Sequence, residues 1–109
     1  MTSFGPTKTT GPASADLTIR QARPSDTHAL FALAALDEDR APRGRVLVAD
    51  VGGKLWAAVS MDDLHAVADP FRPSGDLVLL LIERARQMRR AEHQEDRRRR
   101  RAAFRLAFG

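Results

Sequence analysis

The stretch RVLVADVGGKLWAAVSM, residues 45–61, decides which fold this chain can adopt. Two runs rich in Val, Leu and Ala, residues 45–51 and 54–61, flank the pair Gly52-Gly53. Glycine accepts the positive φ angles of a two-residue hairpin turn, so the stretch predicts an antiparallel β-hairpin. Much of both runs is apolar on both faces, which is typical of a sheet covered by helices on each side. We expect Trp56, in the second run, to pack on a sheet face.

A shorter strand is predicted on each side of the hairpin. Apolar and polar residues alternate over 17–22, which indicates a first strand. After a turn at Asp62-Asp63, residues 65–69 form a short fourth strand that ends at Pro70. Together with the hairpin, these strands predict a small, mostly antiparallel sheet of four strands.

Two helices complete the predicted order strand, helix, three strands, helix, an α/β (α+β) fold. The first begins at residues 24–26 with Ser25 as its N-cap and ends before the acidic run 37–39. Residues 74–76 open the second, whose apolar stripe of leucines, alanine and methionine fades after Met88.

The chain has 109 residues, enough for one domain. We divide it into a flexible leader (1–16), the α/β domain (17–91) and an arginine-rich tail (92–109). It has no cysteine, which excludes disulfides and thiolate metal sites and fits a reducing compartment, so we expect a cytoplasmic location. No secretory signal is visible, and the longest apolar run, 77–82, is too short to cross a bilayer.

The basic charge of the chain is local. From Arg84 onward there are ten arginines and three acidic residues, a net charge of +7, whereas residues 1–83 carry eight basic and eleven acidic residues, a net charge of −3. The run Arg97, Arg98, Arg99, Arg100 and Arg101 is the most extreme feature. It predicts a site for the phosphates of RNA or DNA, or for an anionic membrane surface with Phe104, Leu106 and Phe108 as shallow anchors. The alternative is a solvated, disordered end.

The element order resembles the N-terminal half of the GNAT (GCN5-related) N-acetyltransferases. The resemblance covers about residues 17–90 and is carried by LTIRQARPSD (17–26), VLVADVGGKLWAAVSMDD (46–63) and AVADPFRPSGDLVLLLIERAR (66–86). The family's coenzyme loop has the pattern Arg/Gln-x-x-Gly-x-Gly/Ala. The resemblance implies that Arg72 and Gly75 would bind the coenzyme A pyrophosphate.

That loop departs from the family pattern at three positions. Pro73 removes a backbone donor, Asp76 adds a negative charge, and Leu77 replaces a small residue. The plain alternative for Arg72 and Gly75 is a strand-to-helix connection. No strand-like run follows Met88, whereas the family has a fifth strand there. We therefore expect no cofactor, or acetyl-CoA if the family activity is retained.

No catalytic or metal-binding residue is predicted. His28, His65 and His93 share no ligand spacing, and we expect each to be exposed. The chain has no tyrosine, which the family often uses as a general acid.

Three functions follow from these observations. The first is a degenerate, non-catalytic acetyltransferase-like module, truncated after its fourth strand, that acts through protein contacts and its tail. Its open fourth strand predicts a homodimer or a protein partner at that edge. The second is a binder of nucleic acid or another anionic surface through the tail, and the third is an N-acetyltransferase completed by dimerisation.

Overall fold

Four antiparallel strands form one sheet within residues 16–108, the part of the chain that the computed structural model describes. They are β1 (Leu17–Gln21), β2 (Val46–Val51), β3 (Lys54–Ser60) and β4 (Ala66–Ala68), side by side in chain order. This confirms the predicted sheet and element order. The predicted leader, apart from Asp16, lies outside the described residues.

The predicted hairpin joins β2 and β3. Gly52 and Gly53 have φ angles of +59° and +90°, the left-handed conformations that the turn requires. The register then shifts: Asp50 faces Leu55, but Ala49 faces Ala57. Trp56 is therefore the extra residue of a β-bulge. It is 5% exposed and belongs to the same core cluster as Ala57, which confirms that the indole packs on the sheet.

The two helices, α1 (Thr27–Leu36) and α2 (Gly75–Phe108), cover opposite faces of the sheet. Side chains along a strand alternate between faces, so neighbouring residues of β2 enter different cores. The cores contain the following buried residues: under α1, Leu33, Ala34, Val46, Val48, Ala58 and Val67, and under α2, Leu47, Ala49, Val51, Trp56, Ala57, Val59, Met61, Leu77, Leu81 and Ala85. A sheet buried on both sides explains why its central strands are apolar throughout.

The start of the first helix differs from the prediction. Ser25 lies inside a 3-10 turn, Pro24–Asp26, and does not cap the helix. The Asp26 carboxylate instead accepts the backbone N–H of Arg23, at 2.6 Å. Asp26 is also held by a distant side chain, Arg20, and the α-helix begins at Thr27, two residues after Ser25.

The second helix continues far beyond the sheet. Its last fully buried residue is Ala85, yet the helix runs without a break to Phe108. The predicted boundary between domain and tail, 91/92, falls inside α2, and the arginine run is helical. The Arg45 guanidinium on the sheet pairs with Glu92 at 2.5 Å and ties the helix to the domain there.

From Arg97 to Ala107 every side chain is exposed. Across residues 16–108, neither helix is both long and apolar enough to span a membrane.

An ion-pair network joins the helix entry to the sheet. The Arg20 guanidinium lies 2.7 Å from Asp26 and 3.2 Å from Asp50, and all three side chains are mostly covered. The hydrogen bond from Arg20, followed by that from the Arg23 backbone, lowers the pKa of Asp26 from 3.8 to about 2. The folded state therefore holds its proton on Asp26 less tightly than the unfolded state does.

We expect Asp26→Asn to remove a pH-dependent part of the stability. A lowered carboxyl pKa stabilises the fold above about pH 4, and this contribution is lost as the pH falls through about 2. Allowing for solvent screening of the pair, the variant should lose about 1 kcal/mol at neutral pH and almost nothing at pH about 2. Urea unfolding of both proteins at the two pH values measures this. An equal gap at both would contradict the assignment to charge.

Candidate functional site

The predicted coenzyme loop lies between β4 and α2. Arg72 stacks over the Trp56 ring, with its guanidinium carbon 5.2 Å from the ring centroid. Its Nε lies 3.8 Å from the Asp69 carboxylate. Arg72, Trp56 and Asp69 also line a 330 Å³ hollow beside α1. The guanidinium is therefore occupied by contacts within the chain, which favours the structural interpretation of Arg72.

Hydrogen bonds within the loop also favour the plain strand-to-helix connection. The Phe71 N–H donates to the carboxylate of Asp69, the residue after β4, at 2.9 Å. The Ser74 hydroxyl donates to the Asp69 carbonyl at 2.9 Å. The Ser74 hydroxyl thus joins the two ends of the loop. The Asp76 carboxylate lies in the first turn of α2.

Gly75 and Gly44 provide a matched test of where glycine is required. Gly75 does not have a positive φ, and a Cβ there would meet nothing within 4 Å. We expect Gly75→Ala to leave stability unchanged or raise it by less than about 1 kcal/mol. Gly44 has φ +74°, and a Cβ there would collide with the Asp62 carboxylate. Gly44→Ala should therefore cost about 1–3 kcal/mol, measured by thermal unfolding.

The reverse order of these two effects would contradict the backbone geometry. It would also show that Gly75 has a close neighbour, as a cradle for a phosphate would require.

Of the three histidines, His65 corrects the prediction. Its side chain is 17% exposed, and its Nε2 lies 3.0 Å from the Arg40 carbonyl and 3.5 Å from Asp39. It braces the loop before β2 rather than facing solvent. His28 and His93 are exposed, as predicted. The Asp62-Asp63 turn is also confirmed.

The arginine run falls on the projecting half of α2. Three of its five members are paired with carboxylates of the preceding turn: Arg100 with Asp96 at 2.9 Å, and Arg98 and Arg99 with Glu95 at 3.4 and 3.8 Å. We call these three arginines the paired set. Arg97 and Arg101 form no ion pair within residues 16–108.

The two unpaired arginines belong to a longer row. At 3.6 residues per turn, positions 86, 90, 93, 97 and 101 lie within about 80° of one another. The row, which we call the outer stripe, consists of Arg86, Arg90, His93, Arg97 and Arg101. It extends over about 22 Å of helix. In the described part of the chain Arg86 also forms no ion pair, and Arg90 forms one, with its Nη2 3.6 Å from the Glu83 carboxylate.

Acidic residues of the same segment form their ion pairs elsewhere. Glu92 pairs with Arg45, and Glu95 and Asp96 pair with the paired set, so among the described residues none of these three carboxylates forms an ion pair with the outer stripe. Hydrogen bonding by Arg45 lowers the pKa of Glu92, which keeps this carboxylate charged and engaged. The outer stripe therefore keeps most of its positive charge without a neutralising ion pair within residues 16–108, and its side chains face solvent.

The sequence prediction found only part of this surface. It singled out 97–101 as a run, and the structure splits that run between the outer stripe and the paired set. Arg86, Arg90 and His93 were missed. The sequence did contain a signal: between 86 and 101 these arginines and the histidine follow one another at intervals of four, three, four and four residues. Residues at these intervals share one face only if the helix continues through all of them.

A metal centre is not indicated by the described part of the chain, where no three His, Asp or Glu side chains are grouped as ligands. Comparisons of the chain with protein-family models, with curated proteins and with solved structures found no match.

Proposed function

We propose that the chain is a non-catalytic α/β module that binds the phosphate backbone of nucleic acid along α2. The observation that carries the proposal is the outer stripe, a row of exposed cations on one face of α2 in which Arg90 alone, among the described residues, is paired with a carboxylate, that of Glu83. The acetyltransferase-like domain acts as the base that holds the first half of this helix.

The dimensions and chemistry of the stripe suit a polyanion. It presents four arginines and a histidine over about 22 Å, and duplex DNA carries one negative charge per about 1.7 Å of its axis. The guanidinium fork binds phosphate oxygens in pairs. Each contact releases condensed counterions, so the binding would be sequence-independent and sensitive to salt.

Nucleic acid is favoured over a membrane surface by the end of the helix. Phe104 and Leu106 are 63% and 90% exposed, but two positions along a helix they lie about 160° apart. A helix that lies in a membrane interface needs its apolar residues on one broad face. Leu106 therefore does not share a face with Phe104, which weakens the set of three anchors that a membrane interface would use.

Coenzyme-dependent activity has less support from this geometry. Arg72 is stacked on Trp56, Gly75 has no close neighbour and Asp76 adds a carboxylate beside the helix start. A partner at the edge strand likewise has a short edge to bind. β4 has three residues, and the Ala68 N–H already donates to the Asp37 carboxylate at 3.0 Å.

The proposal is tested by fluorescence anisotropy with labelled duplex DNA and single-stranded RNA of mixed sequence. We expect the logarithm of the association constant to fall with the logarithm of salt concentration with a slope of about −3 to −4 between about 50 and 200 mM. Two competitors are tested separately: vesicles that contain anionic lipid, and acetyl-CoA in solution. Absence of binding at low salt, or displacement of the DNA by vesicles alone, would overturn the proposal.

A further inference from the structure

A cleft lies against α1, on the face of the sheet opposite to α2. It has a volume of about 720 Å³, within the usual range for sites that hold small organic ligands. One wall is a single face of the helix, formed by Thr27, Leu30, Phe31, Ala34 and Ala35. Their spacing places all five on one side of α1. We call this space the α1 cleft.

The opposite wall is the loop that leads into β2, and three contacts fix it in place. Pro42 is buried, the Arg43 carbonyl accepts the hydroxyl of the buried Ser60 at 3.0 Å, and the Arg40 carbonyl lies 3.0 Å from His65 Nε2. Because both ends of the loop are held, the cleft exists before any ligand binds, which lowers the entropic cost of binding.

The lining is apolar and the rim is positive. Phe31 is 63% exposed and lines the cleft, so its ring offers apolar surface to a ligand. Three arginines, Arg23, Arg40 and Arg43, border the same space, and within residues 16–108 none of their guanidinium groups is in an ion pair.

Among the residues that line the cleft, the one carboxylate is already engaged. Asp39 accepts the backbone N–H of Arg40 at 2.7 Å and lies beside His65. Carboxylates also lie near these arginines outside the lining, since Arg23 acts on Asp26, Arg40 acts on Asp63 and Asp62 lies beside Gly44. Among the lining residues themselves, three arginines face one carboxylate, so the lining carries a net positive charge. Guanidinium binds carboxylate and phosphate groups through paired hydrogen bonds.

From this combination we infer that the α1 cleft is a binding site for a small amphiphilic anion. Its apolar body would lie on Phe31 and the alanines of α1, and its anionic head, a carboxylate or a phosphate ester, would meet Arg40 and Arg43. Binding is non-covalent, and the site is independent of the nucleic-acid surface on α2.

The test is a titration of the full chain with octanoate, octyl phosphate and octanol, followed by calorimetry and by backbone amide shifts in nuclear magnetic resonance spectra. We expect both anions to bind at least about tenfold more tightly than octanol, with the largest shifts at Thr27, Phe31, Ala35 and Gly44. The tighter of the two anions identifies the head group. Equal binding of all three, shifts elsewhere, or no binding would overturn the inference.

Variants separate the charge from the apolar lining. Arg40→Gln with Arg43→Gln should weaken octanoate about tenfold or more and leave octanol unchanged, whereas Lys54→Gln with Arg84→Gln removes the same charge elsewhere and should change neither. Ala35→Trp, at an exposed position, should fill the cleft and abolish binding of all three. Thermal unfolding shows whether each variant is folded. Equal loss in both double variants would mean that only the net charge matters.

Discussion

Changing Arg86, Arg97 and Arg101 together to glutamine is expected to weaken duplex DNA binding about a hundredfold at moderate salt. These three outer-stripe arginines have no carboxylate partner among the described residues, so their charge is available to phosphates. Each lost phosphate contact should also reduce the magnitude of the salt slope by about 0.9, so the slope should fall by about 2.7. Anisotropy titrations of the wild type and the variant over the same salt range measure both effects.

The paired set gives the matched control. Changing Arg98, Arg99 and Arg100 to glutamine removes the same three charges from the same helix, but these side chains are already paired with Glu95 and Asp96. We expect this variant to lose less than about tenfold in affinity, because bringing these arginines to a phosphate would first break their existing contacts. If both triple variants lost the same affinity, the position of the charges on the helix would be irrelevant and the outer stripe would not be the interface.

Replacing Leu81 with alanine is expected to lower the free energy of unfolding by about 2–5 kcal/mol. Its side chain has no exposed surface and lies in the core between α2 and the sheet, against residues such as Val59 and Met61. The loss combines the transfer of the removed methylene groups with the cavity that remains. Domains of this size have a total stability of about 5–15 kcal/mol, so the change is a large fraction of it.

Leu79→Ala is the control for that measurement. The substitution is chemically the same and lies two residues earlier in α2, but Leu79 is 66% exposed. Its stability should change by less than about 0.5 kcal/mol. Urea unfolding of the two variants gives the comparison. Equal losses would mean that Leu81 does not face the sheet, and α2 would then have to pack in a different rotation.

The sheet could be predicted from the sequence because its signals are local. Gly52-Gly53 between two β-prone runs specifies a hairpin with few alternatives, and the apolar character of both faces of β2 anticipated helices on each side. The start of α1 was misplaced because Asp26 is held by Arg20, a contact between elements that no local pattern contains.

The candidate surfaces were harder to predict for a related reason. The arginine run was interpreted as an anion-binding tail, with a disordered end as the alternative, whereas pairs such as Glu95–Arg99 and Asp96–Arg100 at helical spacing support a helix. Once the helix continues, the outer stripe follows from spacing alone. The α1 cleft had no such signal, since it exists only when Phe31 and the loop at Pro42 face each other in space.

The contact between Arg45 and Glu92 divides α2 into two parts with different thermodynamics. Unwinding the helix before this pair would expose the core. Beyond the pair, the helix is stabilised only by its own hydrogen bonds and side-chain pairs. Short helical segments without tertiary support are marginal in water. Helix content beyond Glu92 and occupancy by a polyanion are then linked equilibria, so that each raises the other by the same factor.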